Sequence, residues 1–138
     1  MVVDTSVLLH VAFGEPGWQA SLRWLSKQPS LHFSAVSLVE GHAVIMSRGR
    51  RDPKGAVDDL LDTLAVEVVP FDAQQAVLAR EAYSRYGKGQ GHRAQLNFGD
   101  VIVYALAASR QETLTFVGDD FSHTDLEIVR LPRNEQDA

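Results

Sequence analysis

Short β-branched runs separated by longer helical segments recur along the whole chain, and this alternation constrains the fold most. Val2-Val3 reads as a buried strand ending at polar Asp4. Helical spacing follows from Thr5 to Phe13 and, after Gly14-Glu15-Pro16-Gly17, from Trp18 to Lys27. His32-Phe33-Ser34 supplies a second strand beyond Pro29. Ser37 to Arg48 is expected to be helical, with Val39, Ala43, Val44 and Met46 toward a core. Another helix carries Ala56, Leu60, Leu61 and Leu64, with Pro53 in its first turn. Val66 to Val69 is a third strand, and Asp72 is placed to cap a helix running through Tyr86. The glycine-rich stretch 87–91 is a loop. From Val101 to Ala108 every residue is apolar apart from Tyr104, which predicts a central buried helix. Leu114 to Val117 and Glu127 to Val129 are the last strands. Strands that alternate with helices imply α/β architecture, here three layers around a parallel sheet of about five strands. Sheets of this kind hold ligands beyond the carboxyl ends of their strands.

Three aspartates stand where such a cleft would open. Asp4 follows the first strand, Asp100 opens the apolar helix, and Asp119 lies just past Leu114-Val117, while Glu40 sits near the start of another helix. Each has an ordinary structural explanation. Ser37-Leu38-Val39-Glu40 and Asn97-Phe98-Gly99-Asp100 both have the layout of a capping box. Asp4 is placed to cap the helix from Thr5, and Gly118-Asp119-Asp120 has the composition of a turn. Taken together, the acids say more. Carboxylates gathered at one sheet edge repel one another unless cations or protons offset them. Hard oxygen donors, with no cysteine in the chain, select Mg²⁺ or Mn²⁺. Such ions serve in-line displacement at phosphorus, so phosphodiester hydrolysis is the expected chemistry.

The 138 residues, 45% hydrophobic, fit one domain over 1–138, whose last few residues are expected to form a flexible tail. No stretch reaches the length of a membrane span, and no basic region precedes an apolar core at the N-terminus. With no cysteine, disulfides are excluded and a cytoplasmic setting is expected. A net charge of −5 argues against general adhesion to nucleic acid, so an acidic nuclease needs metal ions and locally placed arginines.

Met1-Val2-Val3-Asp4-Thr5-Ser6, then Glu40, Asn97-Phe98-Gly99-Asp100, Val117-Gly118-Asp119-Asp120-Phe121 and Thr124-Asp125-Leu126 occur in an order that resembles PIN domains. More closely, they resemble bacterial VapC toxins of type II toxin–antitoxin systems. The likeness covers nearly the whole chain. It implies a PIN-like fold, metal-dependent cleavage of RNA (often tRNA or ribosomal RNA), a homodimer, and inhibition by a VapB-type antitoxin. Asp4, Glu40, Asp100 and Asp119 match the acidic positions, with Asp4, Asp100 and Asp119 implied as metal ligands. Ser6 takes the hydroxyl position. Asp119 and Asp120 are adjacent, and Asp119 is the expected fourth acid because it lies nearer the strand end.

The remaining polar residues carry less. His42 is two positions past Glu40 and faces another side of its helix, while His10, His32, His92 and His123 have no metal-ligand spacing and suit surface or capping roles. Arg48, Arg50, Arg51 and Lys54, and likewise Arg85, Lys88 and Arg93, are basic groups of the kind that form solvated surface or contact RNA. Trp18 and Trp24 are six residues apart, so at least one is expected to be partly exposed. The alternative function is a catalytically silent PIN-like module that binds RNA or protein, which would normally have lost one of the acids. A phosphoacceptor receiver would need paired acids by the first strand and a late lysine, and a haloacid-dehalogenase-type phosphatase would need an aspartate where Ser6 stands.

Overall fold

A computed structural model describes residues 1–49 and 55–132. Its five strands are β1 (Val2–Val3), β2 (His32–Ser34), β3 (Glu67–Val69), β4 (Leu114–Val117) and β5 (Ile128–Leu131). All pair in parallel, in the order β3-β2-β1-β4-β5. The helices are α1 (Thr5–Ala12), α2 (Trp18–Ser26), α3 (Ala35–Ser47), α4 (Ala56–Thr63), α5 (Ala73–Tyr86) and α6 (Phe98–Arg110). The expected tail, Pro53 and three members of the first basic group (Arg50, Arg51, Lys54) lie outside the described residues.

Two residues suffice for β1 because its neighbours complete it. Val2 aligns with His32 on one side and with Leu114 on the other, and Val3 aligns with Thr115. Successive side chains point to opposite faces. Val2 therefore packs with α5, α6, Leu114 and Phe116, while Val3 packs with Leu8, Leu25, Phe33, Ile45 and Leu61. These are the two outer layers. Among the described residues no helix is long and apolar enough to cross a membrane.

The position of β1 also creates the cleft. From β1 the chain moves outward to β2 and β3, then returns to the other side for β4 and β5. The segments leaving β1 and β4 diverge, which opens a crevice at their carboxyl ends. Asp4 follows β1, and Gly118-Asp119-Asp120 follows β4.

Helix α3 differs from expectation. It begins at Ala35, with Ser34 Oγ accepting from the Val36 amide at 3.3 Å. Glu40 consequently lies in the second turn and cannot close a capping box with Ser37. The buried face is Ser37, Gly41 and Ile45, while Val39 and Met46 are exposed. This face packs closely on its neighbours: a Cβ at Gly41 would lie in ordinary contact with Val57 at 3.4 Å and Thr5 at 3.5 Å.

Phe121 pins the loop after β4. It is fully buried, with its ring 5.3 Å from that of Phe116 in an edge-on arrangement. Phe121→Ala is expected to reduce unfolding free energy by about 3–5 kcal/mol in urea denaturation. A loss under about 1 kcal/mol would mean that the loop is held by other contacts.

Candidate active site

Asp4 and Asp100 lie on the floor of the crevice. Asp4 is 6% exposed and Asp100 8%, rare values for aspartate. Each is held by a helix start. Asp4 is the N-cap of α1, where one carboxylate oxygen, Oδ2, accepts from the Ser6 amide at 3.1 Å. Asp100 completes a capping box in α6: its Oδ2 accepts from the Asn97 amide at 3.0 Å, and its own amide donates to Asn97 Oδ1 at 2.9 Å. In both aspartates helix capping engages one carboxylate oxygen, and the Ser6 side chain also hydrogen-bonds Asp4. The capping and ligand readings of these acids are therefore compatible, since capping uses only one oxygen of each.

Ser6 ties the two strand ends together. Its Oγ accepts from the Val117 amide at 3.0 Å, and the Asp4 amide donates to the Thr115 carbonyl at 3.0 Å. Glu40 reaches the same place from α3. A Cβ on Gly99 would overlap the Glu40 carboxylate, so the missing side chain makes the seat for it. Glycine is used here for close approach, not for an unusual backbone angle.

The two adjacent loop acids, Asp119 and Asp120, are both exposed but have different surroundings. Asp119 turns outward: its side chain is 75% exposed, and its Oδ1 lies 2.9 Å from the Arg130 guanidinium. The loop carboxylate whose charge raises both Asp4 and Asp100 is Asp120. Gly118, at a φ of 108°, rotates the chain immediately before these two exposed residues.

Burial pushes Asp4 up to about 6. The Ser6 hydrogen bonds oppose that, and the charges of Glu40 and Asp120 add to it. Burial likewise pushes Asp100 up to about 7, against the Asn97 amide and helped by Asp120, Asp4 and Glu40. Both buried aspartates thus lie within reach of the charges of Glu40 and Asp120. Among the described residues no three of these carboxylates converge tightly enough to enclose an ion. The donor set fits a hard divalent cation in chemistry and charge, being all oxygen and with each buried aspartate keeping an oxygen free of capping.

Two more polar contacts meet this loop, and the sequence reading missed both. Arg130 holds Asp119, and Tyr104 Oη donates to Asp125 Oδ1 at 2.6 Å, with Arg85 3.5 Å from the other oxygen. The signal for the second was Tyr104 itself, the lone polar side chain in the apolar run from Val101 to Ala108. Of the second basic group, Arg85 also stacks over the Tyr86 ring. Arg48, the described member of the first, lies over Phe13.

Two histidines expected at the surface are buried. His10, 1% exposed, stands between Glu15 and Ser21, and His32, 8% exposed, bonds Glu112 at 2.7 Å at the far end of the sheet. His42 and His123 are exposed, and His92 accepts from the Ala94 amide as a cap would. Trp18 and Trp24 are both half-buried.

Comparison with known proteins fits this geometry. The PIN domain family profile matches residues 1–127. Ribonuclease VapC42 of Mycobacterium tuberculosis is 44% identical over 126 residues, covering 91% of this chain and 96% of the relative. The chain belongs to the PIN-domain family. Within that family it groups with proteins named VapC ribonucleases; VapC28 of the same organism is 40% identical over 129 residues, covering 92% of this chain and 96% of VapC28. Solved structures of toxin–antitoxin proteins share the fold. The M. tuberculosis VapC20 toxin, described as cleaving the sarcin–ricin loop, superposes with a TM-score of 0.73 at 23% identity over 94% of this chain and 98% of its own. VapBC-5 from M. tuberculosis gives 0.66 at 24%, over 94% and 97%.

The raised aspartates give this PIN domain a defined pH response. A carboxyl whose affinity for protons is higher folded than unfolded contributes stability below its unfolded value, near 3.8 here, and loses it as pH rises through about 6 and 7. Glu112 has the opposite sign. Burial would raise it, but hydrogen bonds from Arg110, the N-terminus and His32 hold it down at about 2, so its contribution disappears only under more acidic conditions. In EDTA, the Tm at about pH 5.5 should therefore exceed that at about pH 8 by roughly 5 °C or more. Equal or reversed values would mean that the aspartates ionise freely in the fold.

Proposed function

We propose that this PIN domain is a metal-dependent endoribonuclease, the toxin half of a VapBC-type pair, hydrolysing phosphodiester bonds in tRNA or ribosomal RNA in the cytoplasm. The observation that carries the reading is the buried pair Asp4 and Asp100, both raised first by burial and then by Glu40 and Asp120, with Asp4 adding to the rise at Asp100. Buried groups perturbed by a specific set of neighbours in a cleft are characteristic of functional sites. The family's ribonuclease names supply the reaction class.

In this reading Asp4, Asp100 and Asp120 would hold Mg²⁺ or Mn²⁺, with Glu40 beside them. The ion would supply positive charge that acidifies water and offsets negative charge developing on oxygen. The chain's own residues set the geometry. Ser6 fixes the Asp4 carboxylate and joins the ends of β1 and β4, Asn97 fixes Asp100, and Glu40, seated on Gly99, is placed to accept a proton from water. One P–O bond breaks and one forms to the water oxygen, while the departing ribose oxygen takes up a proton.

A VapB-type antitoxin is the partner proposed, by analogy with neighbours solved as VapBC assemblies. Its natural means of inhibition is a guanidinium placed among the carboxylates, which can bind two oxygens at once. A homodimer is proposed on the family likeness.

Cleavage of a looped RNA is expected to require added Mg²⁺ or Mn²⁺ and to stop with EDTA. Asp120→Asn should lower the rate or the apparent metal affinity by ~10-fold or more, with Asp119→Asn costing much less. Robust cleavage in metal-free buffer would end the metal-dependent reading, and the reverse order of the two variants would return the fourth position to Asp119. A separate test uses the Glu40 seat. Gly99→Ala should drive the flexible end of Glu40 away and lower cleavage by ~10-fold or more. Its Tm should hold or rise, because alanine favours the helix by about 0.5–1 kcal/mol. Unchanged cleavage would place Glu40 outside the reaction.

A further inference from the structure

We infer that Arg130 is a binding residue for the RNA backbone, with Asp119 holding its guanidinium at the rim of the carboxylate cleft until a phosphate takes that place. The inference rests on the ribonuclease reading above and adds to it the group that receives the polyanion.

The site presents substrate with a difficulty. The chain carries net charge −5, and its cleft gathers Asp4, Glu40, Asp100 and Asp120. A nucleic-acid strand approaching this edge needs a fixed cation close to the reacting phosphate, since the overall field opposes it. Arg130 stands in the right place. It is the third residue of β5, in register with Phe116 of β4, and thus lies at the same carboxyl edge of the sheet as the cleft. Its neighbours Val129 and Leu131 pack into the core beside β1, so β5 is anchored while the Arg130 side chain remains 52% exposed. Its partner Asp119 is adjacent in sequence to Asp120, whose charge reaches both buried aspartates.

The chemistry fits a phosphate better than a permanent ion pair. Guanidinium presents five donors in a planar fork matched to phosphate and carboxylate oxygens. The recorded pairing with Asp119 uses one terminal nitrogen, at 2.9 Å. Both side chains are exposed, so the pair is screened and weak, and a phosphodiester can displace or join it at little cost. Asp119 then holds the long arginine side chain in place beside the loop after β4 between substrate encounters.

This assignment gives the two partners opposite signs, whereas a pair that merely fastens the loop would give them the same sign. The test measures binding of a fluorescein-labelled RNA hairpin by anisotropy, with Ca²⁺ in the buffer and potassium chloride varied from about 50 to 200 mM. Arg130→Gln should weaken binding about tenfold and reduce the slope of log K against log salt by about one, the signature of one lost phosphate contact. Arg130→Lys should restore the slope and part of the affinity. Asp119→Asn should bind as tightly as the parent or up to about fivefold tighter, because it frees the guanidinium and removes a repelling charge. Matching losses in Arg130→Gln and Asp119→Asn would overturn the inference in favour of loop fastening, as would an unchanged salt slope in Arg130→Gln. The ribonuclease reading is judged separately, by whether the parent chain cuts the same hairpin with Mg²⁺ or Mn²⁺. Both side chains are at the surface, so far-UV circular dichroism and Tm should match the parent in all three variants.

Discussion

Placing two aspartates side by side in a cleft floor is the constraint that the rest of this structure accommodates. Ionised carboxyls in a poorly solvated site are disfavoured by desolvation and by each other. The fold answers with helix starts. Asp4 caps α1 and Asp100 stands in the first turn of α6, so both occupy the positive end of a helix dipole and take a backbone amide on one oxygen. The compensation is incomplete, for both groups remain well above an ordinary aspartate. What is left over is affinity for a positive charge.

The topology explains why those helix starts meet. Because β1 is the central strand and β4 joins it from the other side, the residues leaving each strand face a common crevice. Ser6 closes that junction through the Val117 amide. Helix α3 adds Glu40 from a third direction, and its carboxylate finds room because Gly99 carries no side chain to overlap it.

Much of this was legible in the sequence. The strands were visible because each is a short apolar or β-branched run next to a turn residue, and β2 and β4 fall on the expected residues. Asp4 and Asp100 were visible because strand ends and capping boxes are local patterns. Helix α3 was misread because apolar content suggested Val39 and Met46 as the inner face, whereas helix packing favoured the smaller Ser37 and Gly41. Glu40 was assigned to a capping box because Ser34 and Ser37 are one turn apart and only the tertiary fold chooses between them. Asp119 and Asp120 could not be separated by distance from a strand, since both lie exposed just past Gly118 and only their surroundings differ. The burial of His10 and His32 was hidden for another reason: their partners Ser21 and Glu112 are remote in sequence, and pairing is what makes a buried imidazole tolerable.

The two ends of the sheet show how the same side-chain chemistry is put to different uses. At the amino end Glu112 lies among the N-terminal amine at 3.0 Å, Arg110 at 2.8 Å and His32 at 2.7 Å, and it is held down at about 2. Its charge is satisfied by the chain itself, so nothing further is called for there. At the carboxyl end Asp4 and Asp100 are raised to about 6 and 7, with other carboxylates as their charged neighbours. Both clusters are perturbed and partly buried, and burial alone would not distinguish them. The direction of the shift does. A carboxylate pushed down already has its cations, whereas a group of carboxylates pushed up is short of them, and only the second arrangement leaves a function for an ion, an antitoxin arginine or a substrate-bound charge to complete.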